Sequence, residues 1–133
     1  MIAKKHKLRT VGADTSVRQG RLAKAQQFLQ VADDARELSE DNEVADAAVT
    51  LYIHAGIAAA DALCAAALGE HAQGTDHRQA VSLLGSVDKE AAKYLDTLLR
   101  MKTRAGYGHH PINESNLRKA ARAATALVSQ AVL

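Results

Sequence analysis

The chain has 133 residues, with 17 basic and 15 acidic side chains and a net charge of +2. Its 28 alanines and 3% aromatic residues argue against a β-rich fold, because alanine favours helices and strand-forming residues are scarce. A hydrophobic fraction of 47% excludes a disordered chain, and a single cysteine, Cys64, excludes a disulfide framework and a four-cysteine zinc site. We therefore expect one small all-α domain.

Residues 1–15 are predicted to form a basic, flexible tail. Its first ten residues, MIAKKHKLRT, are followed by no apolar segment, so a signal peptide is not expected. The longest uninterrupted apolar run, residues 62–68, is far shorter than the ~20 residues that span a bilayer. We therefore expect a cytoplasmic location and no contact with a membrane.

Hydrophobic spacing predicts that residues 16–133 form an up-and-down bundle of four long helices and one short helix. The first helix is predicted to begin at about Ser16, whose side chain is expected to cap it, and to end near residue 39. The second helix is predicted to begin after a cap at residues 41–42, to end at residue 68, and to be followed by Gly69 in the left-handed conformation. It is apolar nearly all round, which is typical of a helix surrounded by protein.

After a loop over residues 69–75, three further helices are predicted. Asp76 caps the short third helix, which ends near residue 84. Asp88 caps the fourth helix, which is expected to end near Arg104, and the last helix begins near Asn113 and continues to the end of the chain.

Four polar side chains form one stripe along the second predicted helix. Asp46, Thr50, His54 and Asp61 are separated by four, four and seven residues, which places them on one face. We expect Asp46 and Thr50 at a solvent edge, with His54 and Asp61 hydrogen-bonded inside the core. The alternative is a functional site or a polar seam at an interface.

Charge is divided along the chain. Residues 1–24 carry seven basic side chains and one acid, residues 25–99 carry four basic and thirteen acidic ones, and residues 100–122 carry six basic ones and one acid. The two basic segments could attract phosphate or an acidic partner, or they could be solvated faces that complement the acidic middle.

A cluster of basic and aromatic residues, KTRAGYGHH, occupies positions 102–110. Histidine transfers protons near neutral pH, and a guanidinium stabilises charge that grows on a phosphate. RNA supplies its own nucleophile in the 2′-hydroxyl, so metal-free cleavage of RNA by Arg104 and His109 is one interpretation. We expect no cofactor and no metal. Both residues could instead act only as favourable charges at a helix C-terminus.

Several strings of the sequence resemble small bacterial HEPN-domain proteins. They are LYIHAGIAAADALCAAALG, GTDHRQAVSLL, LLRMKTRAGYG and the final alanine-rich helix, and the resemblance covers about residues 20–130. It implies a helical bundle that forms a homodimer. It also implies a ribonuclease toxin of a toxin–antitoxin or defence system, paired with a small nucleotidyltransferase antitoxin.

The resemblance allows two frames for the active motif. In the first, Arg104 and His109 fit R-x-x-x-x-H. In the second, Lys102 and Tyr107 fit K-x-x-A-x-Y, the pattern of a catalytically degenerate lineage. The first frame implies a metal-independent endoribonuclease that acts as a dimer. The second implies a module that binds a nucleotide, RNA or a nucleotidyltransferase partner, and a structural dimerisation domain is a further alternative. The expected binding residues are Lys102, Arg100, His110 and Arg118.

Overall fold

The structure, a computed structural model, describes residues 9–40, 43–74 and 76–133. These residues form six helices and one two-stranded antiparallel sheet: β1 (Thr10–Gly12), α1 (Thr15–Leu38), α2 (Ala45–Leu68), β2 (Glu70–Ala72), α3 (His77–Gly85), α4 (Lys89–Arg100), α5 (Lys102–Tyr107) and α6 (Glu114–Val132). Each strand has only three residues, so the predicted all-α fold is confirmed.

The four longest helices form the bundle, and those that follow one another along the chain run in opposite directions. Helices α2 and α6 run in the same direction, because Asp46 at the start of α2 bonds Ile112 just before α6. Arg21 of α1 bonds Asp61 near the end of α2, and Asp33 near the end of α1 bonds Tyr52 nearer the start of α2. Helix α2 packs against α1, α4 and α6. Two short helices, α3 and α5, complete the described part of the chain, where the sequence predicts one.

Helix α2 lies at the centre of the bundle. It is long and apolar enough to cross a membrane by length and composition, yet 56% of its most apolar window is buried inside the protein. Small side chains let its neighbours approach closely. At Gly56, a Cβ atom would collide with Leu98 Cδ1 of α4 and lie 3.3 Å from Leu127 Cδ1 of α6. Glycine is therefore required there by space.

Local capping signals place most helix ends where the sequence predicts them. Gly69 ends α2 with a φ of 70°, and Asp88 and Asn113 accept hydrogen bonds from the first backbone N–H groups of α4 and α6. The prediction that Ser16 caps α1 is wrong, because Asp14 accepts from the N–H of Val17 instead. The cap predicted at residues 41–42 lies outside the described residues.

The segment before α1 is paired with the chain that follows α2. Strand β1 runs antiparallel to β2, with Val11 opposite His71, and the N–H of Ala13 donates to the carbonyl of Gly69 at 2.8 Å. The predicted flexible tail is therefore wrong for residues 10–14, and β2 occupies residues 70–72 of the predicted loop over residues 69–75. Residues 1–8 of that tail lie outside the described residues.

Replacing Gly56 with alanine should destabilise the fold. The added methyl group meets Leu98 and Leu127 at a cost of about 1–3 kcal/mol, which outweighs the ~0.5–1 kcal/mol that alanine gains in a helix, so we expect the Gly56→Ala variant to be less stable than wild type. Gly20→Ala is the matched control, because a Cβ atom there meets no heavy atom within 4 Å. It should gain ~0.5–1 kcal/mol by reducing the backbone entropy lost on folding. Urea denaturation measures both, and equal stability of Gly56→Ala and wild type would contradict the close packing.

Candidate nucleic-acid interface

The predicted motif lies on a short helix of its own. Helix α4 ends at Arg100, not near Arg104 as predicted, because the chain turns at the buried Met101. Helix α5 then begins at Lys102 and is anchored by Ala105, which is 8% exposed. The turn separates the motif from the fourth helix and leaves most of its side chains at the surface.

Neither frame of the motif forms a bonded pair within one chain. The side chains of Arg104 and His109 are exposed, as are Lys102 and Tyr107, the last of which is 85% exposed. The hydrogen bonds and ion pairs among the described side chains include none from Arg104 or His109. The structure therefore brings both pairs to one exposed region without orienting either of them.

The loop that carries His109 and the exposed His110 is held at its far end. Ile112 is 1% exposed, and its backbone N–H donates to Asp46 Oδ1 at 2.8 Å. The hydroxyl of Thr50 donates to the carbonyl of Asp46 at 2.9 Å. Asp46 and Thr50 are half-buried and bonded. Asp46 therefore connects the polar stripe of α2 to the histidine loop.

The other two members of the stripe have different surroundings. Asp61 is 9% exposed and accepts from Arg21 Nε at 3.0 Å, so its predicted bond inside the core is confirmed. The same prediction for His54 is wrong: its side chain is exposed, and its ring centroid lies 5.7 Å from that of Phe28. Nearby Cys64 packs as a small apolar side chain. Burial raises the pKa of its thiol to about 12, which disfavours the nucleophilic thiolate.

A basic cavity lies between α4 and α6. It has a volume of about 460 Å³, and its lining includes Thr97, Arg100, Met101, Asn116, Lys119 and Arg122. Three cations therefore converge on it, and no carboxylate is among the described residues that line it. Asn116 and Thr97 add polar groups that can hydrogen-bond a ligand. The cavity has the chemistry of a phosphate-binding site.

Arg100 is held at the cavity by a carboxylate on its own helix. Its Nε donates to Asp96 Oδ2 at 2.8 Å, and His77 of α3 bonds Asp96 Oδ1 at the same distance. Hydrogen bonds from Arg100 and then His77 hold the pKa of Asp96 below its ordinary value of 3.8. Asp96 therefore stays ionised near neutral pH and restricts the Arg100 guanidinium.

The chain matches no protein-family model and no curated protein sequence. The resemblance to HEPN proteins therefore stays a prediction.

The structure gathers some of the predicted binding residues and separates others. Arg100 lines the basic cavity, whereas Arg118 forms an ion pair with Glu114 of its own helix at 3.7 Å. The sequence reasoning missed Lys119 and Arg122. Their spacing of three residues, which places both on one face of a helix, is the signal that could have identified them.

The stability contributed by Asp96 should depend on pH. Its native pKa is lowered, so its contribution is fully present above the ordinary value of 3.8 and is lost as the pH falls through the lower native value. We expect wild type to be more stable than Asp96→Asn at pH 7 and the difference to shrink as the pH falls below 3.8. Denaturant titrations across this range measure the difference. Asp34→Asn is the control, because Asp34 accepts a hydrogen bond only from the Gln30 amide. A difference for Asp96→Asn that does not change with pH would contradict the assignment.

Proposed function

We propose that this chain is an RNA-binding helical module and that its binding site is the basic cavity between α4 and α6. One observation carries this proposal: Arg100, Lys119 and Arg122 come from two helices and line the same cavity, which stays net positive although Asp96 pairs with Arg100. On a surface whose charged groups serve only solubility, acidic and basic side chains are mixed and offset one another. A cavity lined by one sign of charge instead concentrates anions.

The resemblance to HEPN proteins supports RNA as the anion. In this proposal the module is cytoplasmic and forms a homodimer, and a small nucleotidyltransferase of a toxin–antitoxin system is its candidate protein partner. A mononucleotide is the alternative ligand, because its phosphate would satisfy the same cations. The two ligands differ in the number of phosphates bound, which the salt dependence of binding reports.

Removing two cations from the cavity should weaken RNA binding and its dependence on salt. We expect Lys119→Ala/Arg122→Ala to bind a fluorescent single-stranded RNA at least tenfold more weakly than wild type. The slope of log K against log salt concentration should fall by about 1.4, at ~0.7 for each phosphate contact to a single strand. Fluorescence anisotropy at four salt concentrations measures both quantities.

The matched control is Lys24→Ala/Arg78→Ala, which removes the same charge from exposed positions on α1 and α3. It should bind within about twofold of wild type, because neither residue lines the cavity. Equal losses in the two double variants would mean that net charge, not the cavity, controls affinity.

A second candidate function is metal-independent cleavage of the bound RNA. It is favoured by the exposure of Arg104 and His109, which have no competing side-chain partner among the described residues. They stand on a helix and loop that follow directly after Arg100 and Met101 of the cavity. His109 would take the proton of the 2′-hydroxyl, whose oxygen attacks the adjoining phosphorus, and Arg104 would stabilise the charge that grows on the phosphate. The P–O5′ bond then breaks, which leaves a 2′,3′-cyclic phosphate and a 5′-oxygen that takes a proton from water. Because no side chain in the described part of the chain orients His109, this proposal requires a second copy to complete the site.

Cleavage should survive chelation of metals and depend on His109. We expect purified wild type to cleave a mixed RNA pool in excess EDTA and His109→Ala to lose at least 100-fold in rate, the range of a general acid or base. His54→Ala is the control, because His54 is exposed on α2. The rate per chain should also fall on dilution below the dimer dissociation constant. Equal cleavage by wild type and His109→Ala would identify a contaminating nuclease and remove His109 as the catalyst.

A further inference from the structure

A second cavity adjoins the basic cavity between α4 and α6. It has a volume of about 350 Å³ and includes Asp88, Glu90 and Gln130 in its lining. Tyr94 lines both cavities, which lie one after the other between α4 and α6 and are together named the α4–α6 groove. From Asp88 to Met101 the groove follows α4 for ~20 Å, at about 1.5 Å for each residue. It is therefore longer than one nucleotide needs.

The two halves of the α4–α6 groove carry opposite charge. Arg100, Lys119 and Arg122 line one half, whereas Asp88 and Glu90 line the other. The phosphates of a nucleic acid are attracted to the first half and repelled by the second. The acidic half therefore accepts a group that has no negative charge and that offers hydrogen-bond donors. In a nucleotide, that group is the base.

Tyr94 stands between the two halves and is half-buried. Its ring packs against the core and lines the groove on both sides. Aromatic side chains in such positions stack with unpaired bases, and they do so in most proteins that bind single-stranded RNA. Among the side chains that line the described groove, Tyr94 is the aromatic one.

The two carboxylates of the acidic half differ in their freedom to bind a ligand. Asp88 Oδ1 accepts from the N–H groups of Glu90 and Ala91, and its Oδ2 accepts from Gln130 Nε2 at 3.3 Å. The side chain of Glu90 is 69% exposed, and its partner Lys93 is 4.0 Å away. Glu90 is therefore the carboxylate available to a base. A carboxylate accepts two hydrogen bonds side by side, which matches the adjacent N1–H and N2–H donors of guanine.

We propose that the α4–α6 groove selects single-stranded RNA that contains guanine. The guanine stacks on Tyr94, its Watson–Crick edge donates to the carboxylate of Glu90, and the adjoining phosphates bind Lys119 and Arg122. This inference rests on the proposed RNA binding and adds its specificity. Adenine presents an acceptor at N1 where guanine presents a donor, so the carboxylate disfavours it.

The test compares two labelled octamers, an all-adenine RNA and the same RNA with one central guanine, by fluorescence anisotropy. Wild type should bind the guanine octamer at least fivefold more tightly. Tyr94→Phe should keep the affinity within twofold, whereas Tyr94→Leu, which retains an apolar side chain of similar size, should lose about tenfold for the guanine octamer. Glu90→Gln should bring the ratio of the two affinities close to one without weakening binding of the adenine octamer. Circular dichroism confirms that each variant is folded.

The outcomes separate the specificity from RNA binding itself. If wild type binds both octamers equally, or if Tyr94→Leu binds as tightly as wild type, the guanine site is overturned and RNA binding stands. If wild type binds neither octamer at concentrations up to 1 mM, a chosen upper limit typical of a very weak complex, both proposals are overturned. The same octamer with inosine in place of the central guanine lacks the N2 amine, and its affinity should lie between those of the guanine and adenine octamers.

Discussion

The absence of a side chain at Gly56 of helix α2 is the constraint on which the rest of the structure depends. At Gly56 the space for a side chain is occupied by Leu98 of α4 and Leu127 of α6, so both helices lie close against α2 and therefore close to each other. The cavities between α4 and α6 exist because these two helices meet at a fixed distance and in a fixed register. The packing of the core thus decides which surface cations become neighbours.

The proposed binding and the proposed cleavage involve different parts of the molecule. The cations of the basic cavity stand on two long helices, and Asp96 restricts Arg100 through a direct hydrogen bond. Arg104 and His109 stand on a six-residue helix and the loop after it, whose far end is fixed where Ile112 bonds Asp46. In the proposed function, an RNA bound by the cavity would bring its backbone close to Arg104 and His109. These two side chains still need a second copy of the chain to orient them.

Signals that act within a few residues were predictable from the sequence, and those that depend on tertiary packing were not. The cap residue Asp88 and the left-handed Gly69 follow from nearby side chains and backbone geometry. The pairing of β1 with β2 joins distant three-residue segments, which carry too little pattern to be recognised. The apolar sequence of α2 predicts that His54 lies in the core. The position of α1 against α2, however, decides which face of α2 is exposed to solvent.

The candidate site also combines features that the sequence predicts with features that depend on tertiary packing. The basic segment correctly predicts that Arg100 belongs to the candidate site. On α6, however, Lys119 lines the cavity and the predicted Arg118 does not. The two residues are adjacent in sequence and point about 100° apart around the helix. Only the orientation of α6 against α4 distinguishes them, and a single sequence contains no measure of that orientation.

More than half of the buried apolar residues that the structure describes are alanines. A core of larger side chains fails most often when a substitution leaves a hole, whereas this core has few methylene groups to lose. Nearly every change at its buried alanines adds volume, so crowding is the main way in which substitutions at those positions destabilise the fold. The buried alanines of such a protein therefore tolerate only exchanges among the smallest residues. The charged surfaces of α4 and α6 are not restricted in this way, so substitutions there can change which ligand is bound.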